Sequence, residues 1–146
     1  MSARVKVTAD FKAISDYAER LEKLGGSIEE VVTQMLQNAH DITTADIERE
    51  MKKHNKTGDT DRSILRNSKV EWSGTVASID IGFDINNGGL PSIFLMYGTP
   101  KHEPGHPGTE RDQALYDAIY GKSALRKRAE MVKAIMDREI KKRMGG

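Results

Sequence analysis

Residues 75–85 of the chain read Thr-Val-Ala-Ser-Ile-Asp-Ile-Gly-Phe-Asp-Ile and alternate in side-chain character over their whole length. The odd-numbered positions are mainly apolar, whereas the even-numbered positions are mainly small or acidic. A period of two residues is typical of a β-strand with one buried face. The pattern predicts a long strand in which Ile79, Ile81 and Phe83 are the main buried anchors.

Turn signals lie on both sides of this strand. Residues 73–74, Ser-Gly, predict a hairpin turn that joins it to an alternating segment at residues 69–72. Residues 86–89, Asn-Asn-Gly-Gly, predict a flexible loop that closes the strand. Beyond that loop, Pro91–Tyr97 fits either a short helix or a third strand, because apolar content alone does not separate the two. Residues 4–9 also alternate, and they fit a short strand or an extended arm.

The sequence before the sheet has helical periodicity. A first helix is expected to end at the glycine pair 25–26. Ser27 and Glu30 form a capping box that begins a second helix, which is expected to reach about Lys53. His40 lies one residue beyond the apolar stripe of that helix and is expected at the surface or at its boundary. The stripe consists of Ile28, Val31, Val32, Met35, Leu36, Ala39, Ile42, Ile47 and Met51.

A second helical region follows at the C-terminus. Thr109 or Asp112 is expected to cap a helix that ends at Gly121, and Ser123 is expected to cap the last helix. The stripe of the last helix consists of Leu125, Ala129, Val132, Ile135, Met136 and Ile140. We therefore expect a single domain, 1–146, that is helical at about 10–53, β-rich at 60–99, a loop at 100–108 and helical again at 109–143.

Length and composition set the class of protein. With 146 residues, 37% hydrophobic and 31% charged, the chain is long enough for a buried core and is not disordered in composition. It has no cysteine, which excludes disulfides and thiolate chemistry and suits a reducing compartment. No segment approaches the ~18 apolar residues of a membrane span, and the N-terminus lacks the apolar run of a signal peptide. We expect a protein without membrane contact that stays inside a cell, or inside something assembled there.

Charge is unevenly distributed along the chain, although the net charge is only +1. From residue 10 to 50 there are ten acids and four bases, a balance of −6, whereas from 122 to 143 there are nine bases and three acids, a balance of +6. Two solvated helices of opposite sign that pack together explain this pattern, and so does head-to-tail contact between subunits. Nucleic-acid binding by the basic helix is a third interpretation. It is weakened by the near-zero total charge and by the lack of aromatics among the basic residues.

The Pro/Gly-rich loop contains a literal match to a zinc-protease motif. His102-Glu103-Pro104-Gly105-His106 has the spacing of HExxH. That motif binds zinc only on a helix, where residues i and i+4 share one face. Pro104 removes a backbone donor and Gly105 lowers the helix propensity further, so the segment is predicted to be a loop without structural zinc. A metal site formed by the two histidines and Glu103 in a loop conformation is an alternative, but the sequence offers no further ligand at a spacing typical of metal sites.

The sequence shows no catalytic constellation. No serine lies in a Gly-x-Ser-x-Gly elbow, and no histidine is placed as a clear base. Residues 121–123, Gly-Lys-Ser, resemble the end of a phosphate-binding loop, but position 116, where that motif needs a glycine, is a tyrosine. We therefore predict no catalytic residue, no cofactor and no metal.

The order of motifs along the chain resembles that of a known family. Two N-terminal helices lead to a Thr-Gly turn at residues 57–58 and an Arg-Ser-Ile segment at residues 62–64, and a β-hairpin follows. An aromatic-Gly-Thr turn at residues 97–99 leads into the Pro-rich loop and a C-terminal helix. This order resembles the small neck proteins of long-tailed bacteriophages, which are called head–tail joining or tail-completion proteins. Many relatives have an Ala-x-Pro-Phe-x-x-Pro-Ala-type segment where this chain has His-Pro-Gly-Thr-Glu-Arg-Asp at residues 106–112.

The resemblance implies an α+β fold, assembly of identical copies into a ring on the phage axis, and no catalysis. It implies a virion component, assembled in the host cytoplasm, whose neighbours are the connector of the head and the proteins of the tail. DNA would pass through such a ring without specific binding, which the near-neutral total charge suits. Together with the predicted elements, it leads us to expect a small antiparallel β-sheet packed against long N-terminal and C-terminal helices. The alternative function is a small nucleic-acid-binding or toxin-like protein that uses the basic C-terminal helix.

The expected contact residues surround the Pro/Gly-rich loop. A long loop of this composition has no core of its own, yet apolar and aromatic residues lie at its root. Long loops in compact domains are more often functional or disordered than idle. We predict that this region contacts a neighbouring subunit or ring, the alternative being a mobile surface connector. The predicted contact residues are Phe94, Tyr97, Gly98, Thr99, Pro100, His102 and His106.

Overall fold

The computed structural model describes residues 2–10, 15–23, 25, 28–54, 58–98 and 110–144, without the side chains of residues 15, 143 and 144. The described residues contain a three-stranded antiparallel sheet. The strands are β1 (Arg4–Asp10), β2 (Glu71–Ser73) and β3 (Val76–Gly82). Their order in the sheet is β1-β3-β2. The N-terminal segment is thus a strand rather than an arm.

The central strand β3 confirms the alternating pattern. The predicted anchors Ile79, Ile81 and Phe83 are each 2% exposed or less. β1 pairs with β3 along its whole length, with Val5 opposite Ile81 and Val7 opposite Ile79. The central strand and the residue that follows it therefore supply buried apolar side chains to the core.

The predicted hairpin between β2 and β3 is also confirmed. Ser73 lies opposite Val76, which leaves a loop of two residues, Gly74 and Thr75. Gly74 has a φ of 61°, whereas the described residues include no other residue type with positive φ. This combination fits a type II′ turn, in which glycine takes the first loop position.

The central strand is shorter than the sequence pattern predicts. Its regular pairing ends at Gly82, and Phe83 makes only an isolated bridge to Ile64. Ile85–Gly89 forms an irregular helical turn, which the Asp84 carboxylate caps by accepting a backbone hydrogen bond at 3.2 Å. The prediction of a strand to residue 85 followed by a loop was wrong, because this local capping competes with an extended backbone.

The described residues form six α-helices. They are α1 (Ser15–Lys23), α2 (Ile28–Met51), α3 (Asp59–Arg62), α4 (Pro91–Tyr97), α5 (Gln113–Tyr120) and α6 (Lys122–Met144). α2 continues as a 3₁₀ turn, Lys52–His54, so its predicted end near Lys53 is confirmed. α6 begins one residue before Ser123, the predicted cap. The region 60–99 is only partly β-rich, since Pro91–Tyr97, whose sequence fits either a helix or a strand, is α4. Ser27 lies outside the described residues, so its capping box stays a prediction.

Two clusters of buried side chains fill the space between the sheet and the helices, and α2 contributes to both. The first joins α2, β3, α4 and α5 and contains Ala3, Ile47, Met51, Ile64, Ile81, Phe83, Ile93, Met96, Leu115 and Ile119. The second joins α1, α2, β3 and α6 and contains Leu21, Ile28, Val31, Val32, Met35, Leu36, Ala77, Ile79 and Ile135. The fold is therefore α+β, with a small antiparallel sheet packed against long helices from both ends of the chain, as expected.

His40 is buried, although the sequence pattern predicts a surface or boundary position. Its side chain is 1% exposed. Its Nε2 lies 2.5 Å from the Leu65 carbonyl oxygen, and its Nδ1 lies 2.9 Å from an Asp41 carboxylate oxygen. The prediction was wrong because helical periodicity identifies the side of α2 that faces the sheet, whereas the segment after α3 covers a second side of the same helix.

The first turns of α6 also depart from the predicted stripe. Leu125 is 54% exposed and Ala129 is exposed, whereas Arg128 between them in sequence is buried. The Arg128 guanidinium donates hydrogen bonds to Thr43 Oγ1 at 3.3 Å and to the Ile119 carbonyl oxygen at 3.0 Å. Burial lowers the pKa of Arg128. This part of the stripe was predicted wrongly, because hydrogen-bond acceptors on two other helices draw a charged side chain inward.

The acidic and basic segments meet within one chain. α6 lies against α2, and Lys127 Nζ is 2.9 Å from the Asp46 carboxylate. The same carboxylate is 3.1 Å from the Arg49 guanidinium. This geometry supports the interpretation that two helices of opposite charge pack together within the chain. Contact between subunits through these charges stays a prediction.

Phe83→Ala is expected to lower the free energy of unfolding by about 3–5 kcal/mol, because it leaves a cavity at a fully buried ring. Phe94→Ala is a matched control, since it removes the same ring from a residue that is 47% exposed. The control is expected to cost less than about 1 kcal/mol. Urea denaturation of both variants checks this. Equal midpoints would contradict the assigned strand register.

Gly82→Ala is expected to cost about 2–4 kcal/mol through backbone strain and displacement of β1. Gly82 has a φ of 129°, and an added Cβ would lie 2.2 Å from the Ala3 carbonyl oxygen. Gly74→Ala is the control, because it adds a methyl group at another positive φ with no atom within 4 Å. Its expected cost is about 1–2 kcal/mol. If thermal melts show the same loss for both variants, the close approach to Ala3 has no energetic role.

Candidate functional site

The predicted contact residues fall into two groups in the structure. Phe94 and Tyr97 lie on α4, and Gly98 is the residue that ends this helix. Thr99, Pro100, His102 and His106 lie outside the described residues, as does the rest of the segment 99–109. The structure therefore describes this site only through the residues that precede and follow segment 99–109.

α4 has a buried side and an exposed apolar side. Pro91 occupies its first turn, where the missing backbone N–H costs nothing. Ile93 and Met96 are buried, whereas Leu90 and Phe94 are 53% and 47% exposed. Leu90 and Phe94 are four residues apart, so their side chains lie on one face. We call Leu90 and Phe94 the α4 patch.

Tyr97 ties the end of α4 to the first strand. Its hydroxyl donates a hydrogen bond to the Ser2 carbonyl oxygen at 3.0 Å. Its ring meets the Tyr116 ring edge-on, with centroids 5.6 Å apart, and Tyr116 packs on Tyr120 at 5.1 Å. The Tyr120 hydroxyl donates to the Arg4 carbonyl oxygen at 3.0 Å, and burial raises the pKa of Tyr120. Three tyrosines thus join α4 and α5 to β1.

The far end of the segment 99–109 is held against the near end. The Asp112 backbone N–H donates to the Leu95 carbonyl oxygen at 2.6 Å. Arg111 Nε donates to the Met96 carbonyl oxygen at 3.1 Å, and its guanidinium lies 4.6 Å from the centre of the Tyr116 ring. The residues before the segment therefore bond directly to the residues after it. We call Tyr97, Gly98, Arg111 and Asp112 the loop frame.

Asp112 connects the loop frame to α2 and α5. Its carboxylate accepts a hydrogen bond from the Leu115 backbone N–H at 3.1 Å, which confirms it as one of the two predicted caps of α5. The same carboxylate lies 2.6 Å from His54 Nε2 and 3.1 Å from Lys53 Nζ. Burial raises the pKa of Asp112, but the hydrogen bonds from His54, Leu115 and Lys53 outweigh it, so the pKa lies below its ordinary value.

The contacts of His54 and Asp112 hold secondary-structure elements together. A His–Asp pair assists catalysis when the histidine also contacts a nucleophile or a substrate proton. Within the described residues, the hydrogen bonds of His54 go to Asp112. The described residues also contain no group of three or more His, Asp or Glu side chains that could hold a metal ion. The His54–Asp112 pair thus fixes the end of α2 to the start of α5.

A separate groove lies between α1 and α6. It encloses about 650 Å³ and has an apolar floor of Tyr17, Met136 and Ile140. Its rim carries both signs of charge, including Asp16 and Lys133. The loop frame and the α4 patch contribute nothing to its lining, so it is a distinct surface.

The sequence identified residues of α4 in this region but did not predict the contacts of residues 111, 116 and 120. Arg111, Tyr116 and Tyr120 carry no local pattern that predicts contact with residues 2–4. The cluster of tyrosines at positions 116 and 120 at helical spacing is the one signal that could have predicted an aromatic contact.

None of the helices in the described part of the chain combines the length and apolar composition that a membrane crossing requires. Comparisons of this chain with protein-family models, with curated proteins and with solved structures gave no match.

Asp112→Asn is expected to destabilise the protein by about 0.5–2 kcal/mol at neutral pH, because the neutral amide loses the ion pair with Lys53 and weakens the hydrogen bond with His54. The pKa of Asp112 is lowered in the folded state from 3.8. The carboxylate therefore stabilises the fold fully above about pH 5, and this contribution is lost as the pH falls through the folded pKa. Chemical denaturation of both proteins at pH 7 and near pH 3 checks this. A difference that stays constant between the two pH values would contradict the assigned role.

Proposed function

We propose that this protein is a structural component of the neck of a long-tailed bacteriophage, where copies form a ring between the head connector and the tail tube. The observation that carries the proposal is the loop frame beside the α4 patch. The residues on either side of the eleven-residue segment 99–109 are hydrogen-bonded to each other, next to two exposed apolar side chains. The choice of a phage neck protein rests on the resemblance in the order of sequence motifs described above.

The α4 patch has the features of a contact surface. Leu90 and Phe94 project from a helix whose opposite side is buried in the core. Exposed large apolar side chains that share one helix face are typical of protein interaction sites, and aromatic anchors often dominate the binding energy. We infer that a neighbouring copy or a neighbouring neck protein covers this patch in the particle.

The hydrogen bonds of the loop frame support the same proposal. The frame is fixed by hydrogen bonds to Ser2 just before β1, to the 3₁₀ turn that continues α2 and to α5, so α4 and the two ends of the segment hold their positions before binding. Preorganisation of this kind reduces the entropy that association costs. A ring subunit that joins two other assemblies benefits from a contact region held in this way.

We propose that the ring contacts lie away from α2 and α6, because charges on these helices already pair within the chain. Lys127 already pairs with Asp46 inside the chain. Head-to-tail docking through these two helices would have to compete with that pair. We therefore assign the subunit contact to the α4 patch and the loop frame, and we propose a virion location after assembly in the host cytoplasm.

The alternative function keeps one specific observation in its favour. α6 exposes several basic side chains along its length, which are Lys122, Arg126, Lys133, Arg138, Lys141 and Lys142. Exposed acids, Glu130 and Asp137, lie among them and reduce the attraction for a phosphate backbone. DNA binding that weakens steeply with added salt would favour this nucleic-acid-binding alternative over the neck protein.

The double variant Leu90→Ser/Phe94→Ser is expected to fold and melt as the wild type does, but to lose assembly, because both side chains are exposed in the free protein. Native mass measurement and electron microscopy of the protein with its cognate connector and tail proteins give the readout. Leu125→Ser is the matched control, since Leu125 is 54% exposed on α6. It is expected to assemble normally. Assembly of the double variant at wild-type yield would overturn the proposed contact.

A further inference from the structure

Among the described residues, no strand pairs with the outer edge of β1, the first strand of the sheet. The strand order β1-β3-β2 puts β1 at the border of the sheet. The Ala3 carbonyl oxygen accepts a hydrogen bond from the Phe83 backbone N–H at 2.9 Å. In an antiparallel ladder every second residue directs both backbone groups at the same neighbour. Val5 and Val7 therefore face β3 with their backbone groups, whereas Lys6 and Thr8 direct theirs outward.

Two tyrosine contacts agree with this orientation and mark where the free edge begins. Tyr97 and Tyr120 bond to the carbonyl oxygens of Ser2 and Arg4, the even-numbered residues that point away from β3. Beyond them, no hydrogen bond from a described residue reaches the outward backbone groups of Lys6 and Thr8, and both residues are exposed. The free edge thus offers two donors and two acceptors at residues 6 and 8.

We propose that β1 pairs with β1 of a second copy of this chain, antiparallel and about a two-fold axis at Val7, so that two sheets join into one. In this register Lys6 lies opposite Thr8 of the second copy. Each such pair exchanges two backbone hydrogen bonds, which gives roughly four across the contact. The contact is isologous, because the same strand contributes on both sides.

Charge on the outer face of the sheet favours this register. Arg4 lies opposite Asp10 of the second copy at both ends of the paired strands. Opposite charges directly across a ladder stabilise strand pairing, whereas like charges oppose it. Arg4 also pairs with Asp80 of its own chain, and a guanidinium has enough donors for two carboxylates. Asp80 also lies 3.9 Å from Lys6 Nζ, which reduces repulsion between the two lysines near the axis.

The inner face of β1 gives a second argument. Val5 and Val7 point to the core side, yet they remain partly exposed, while the β3 residues opposite them are 2% exposed or less. In the proposed register, Val7 meets Val7 of the second copy and Val5 meets Ala9. Pairing would therefore cover apolar surface that the edge leaves in contact with water.

This inference goes beyond the proposed function and is independent of it. A two-fold contact does not continue around a cyclic ring, so the dimer is a form of the free protein. It uses β1, whereas the proposed ring contact uses α4 and the loop frame. A protein that fails to dimerise through β1 leaves the neck proposal intact, and one that fails to assemble with phage proteins leaves the dimer intact.

Thr8→Pro tests the proposed ladder. Proline removes the outward N–H of residue 8 without removing a hydrogen bond to β3, since Thr8 directs its backbone groups away from that strand. Sedimentation equilibrium is expected to show a dimer for the wild type and a dissociation constant at least about tenfold higher for the variant. Thr8→Ala keeps the N–H and is expected to dimerise as the wild type does. Melting curves establish that both variants are folded.

Cross-linking tests the register, and it does not depend on the proline variant. The chain has no cysteine, so Val7→Cys introduces a single thiol at the two-fold axis. Directly opposite residues in a non-hydrogen-bonded pair have Cα atoms about 4.5 Å apart, within the range of a disulfide. Mild oxidation is expected to give a covalent dimer. Val5→Cys is the control, because its counterpart lies four residues away along the strand and is expected not to cross-link.

Three results would overturn the proposal. The first is a wild-type protein that stays monomeric at all concentrations up to submillimolar, which would indicate that the edge is protected or covered by its own chain. The second is a dimer that persists unchanged in Thr8→Pro, which would place the contact elsewhere. The third is cross-linking of Val5→Cys in preference to Val7→Cys, which would exclude a two-fold axis at residue 7.

Discussion

The pairing of β1 with β3 is the interaction on which the rest of the structure depends. β3 has a hairpin partner, β2, but that strand is only three residues long, and a short two-stranded hairpin is marginal in water. β1 supplies seven paired positions and makes β3 a central strand. The ladder joins segments about seventy residues apart, so it forms against a substantial loop-closure entropy. The buried stripe of α2, which lies between the two strands in sequence, provides the apolar surface that offsets this cost.

At Gly82 the paired backbones leave no room for a side chain. The β1 backbone approaches it so closely that a side chain would meet the Ala3 carbonyl oxygen. The same approach sets the position of residues 2–4, whose carbonyl oxygens receive the Tyr97 and Tyr120 hydroxyls. The geometry of the loop frame is therefore a consequence of strand pairing, and not only of the helices that carry the tyrosines.

Patterns that repeat along the chain predicted the fold well. α2 and β3 each have an apolar stripe long enough to identify the element and its buried side. The hairpin at residues 73–76 and the Asp112 cap follow from local rules about turns and helix ends. These features depend on residues close together in sequence, so a single chain contains the information needed to predict them.

Features that depend on distant residues were not predictable in the same way. His40 is buried because a segment twenty-five positions later covers it, and Arg128 is buried because acceptors lie on α2 and α5. Periodicity treats both as polar surface positions. The candidate site shows the same limit. Phe94 and Tyr97 were singled out for their aromatic character, but their exposure differs. The contacts of Arg111 with Met96 and Tyr116, and of His54 with Asp112, have no local signal in the sequence.

The α4 patch and the outer edge of β1 are connected through α4. Phe94 belongs to the α4 patch, and Tyr97, three residues later, holds the start of β1. A partner that displaces α4 would act on the Tyr97–Ser2 hydrogen bond, and Tyr120 holds β1 independently at Arg4 two residues further along. Because two tyrosines on different helices fix the same strand, movement at the patch is resisted at the strand edge. The contacts proposed at the sheet edge and at the α4 patch can therefore each form without distorting the other.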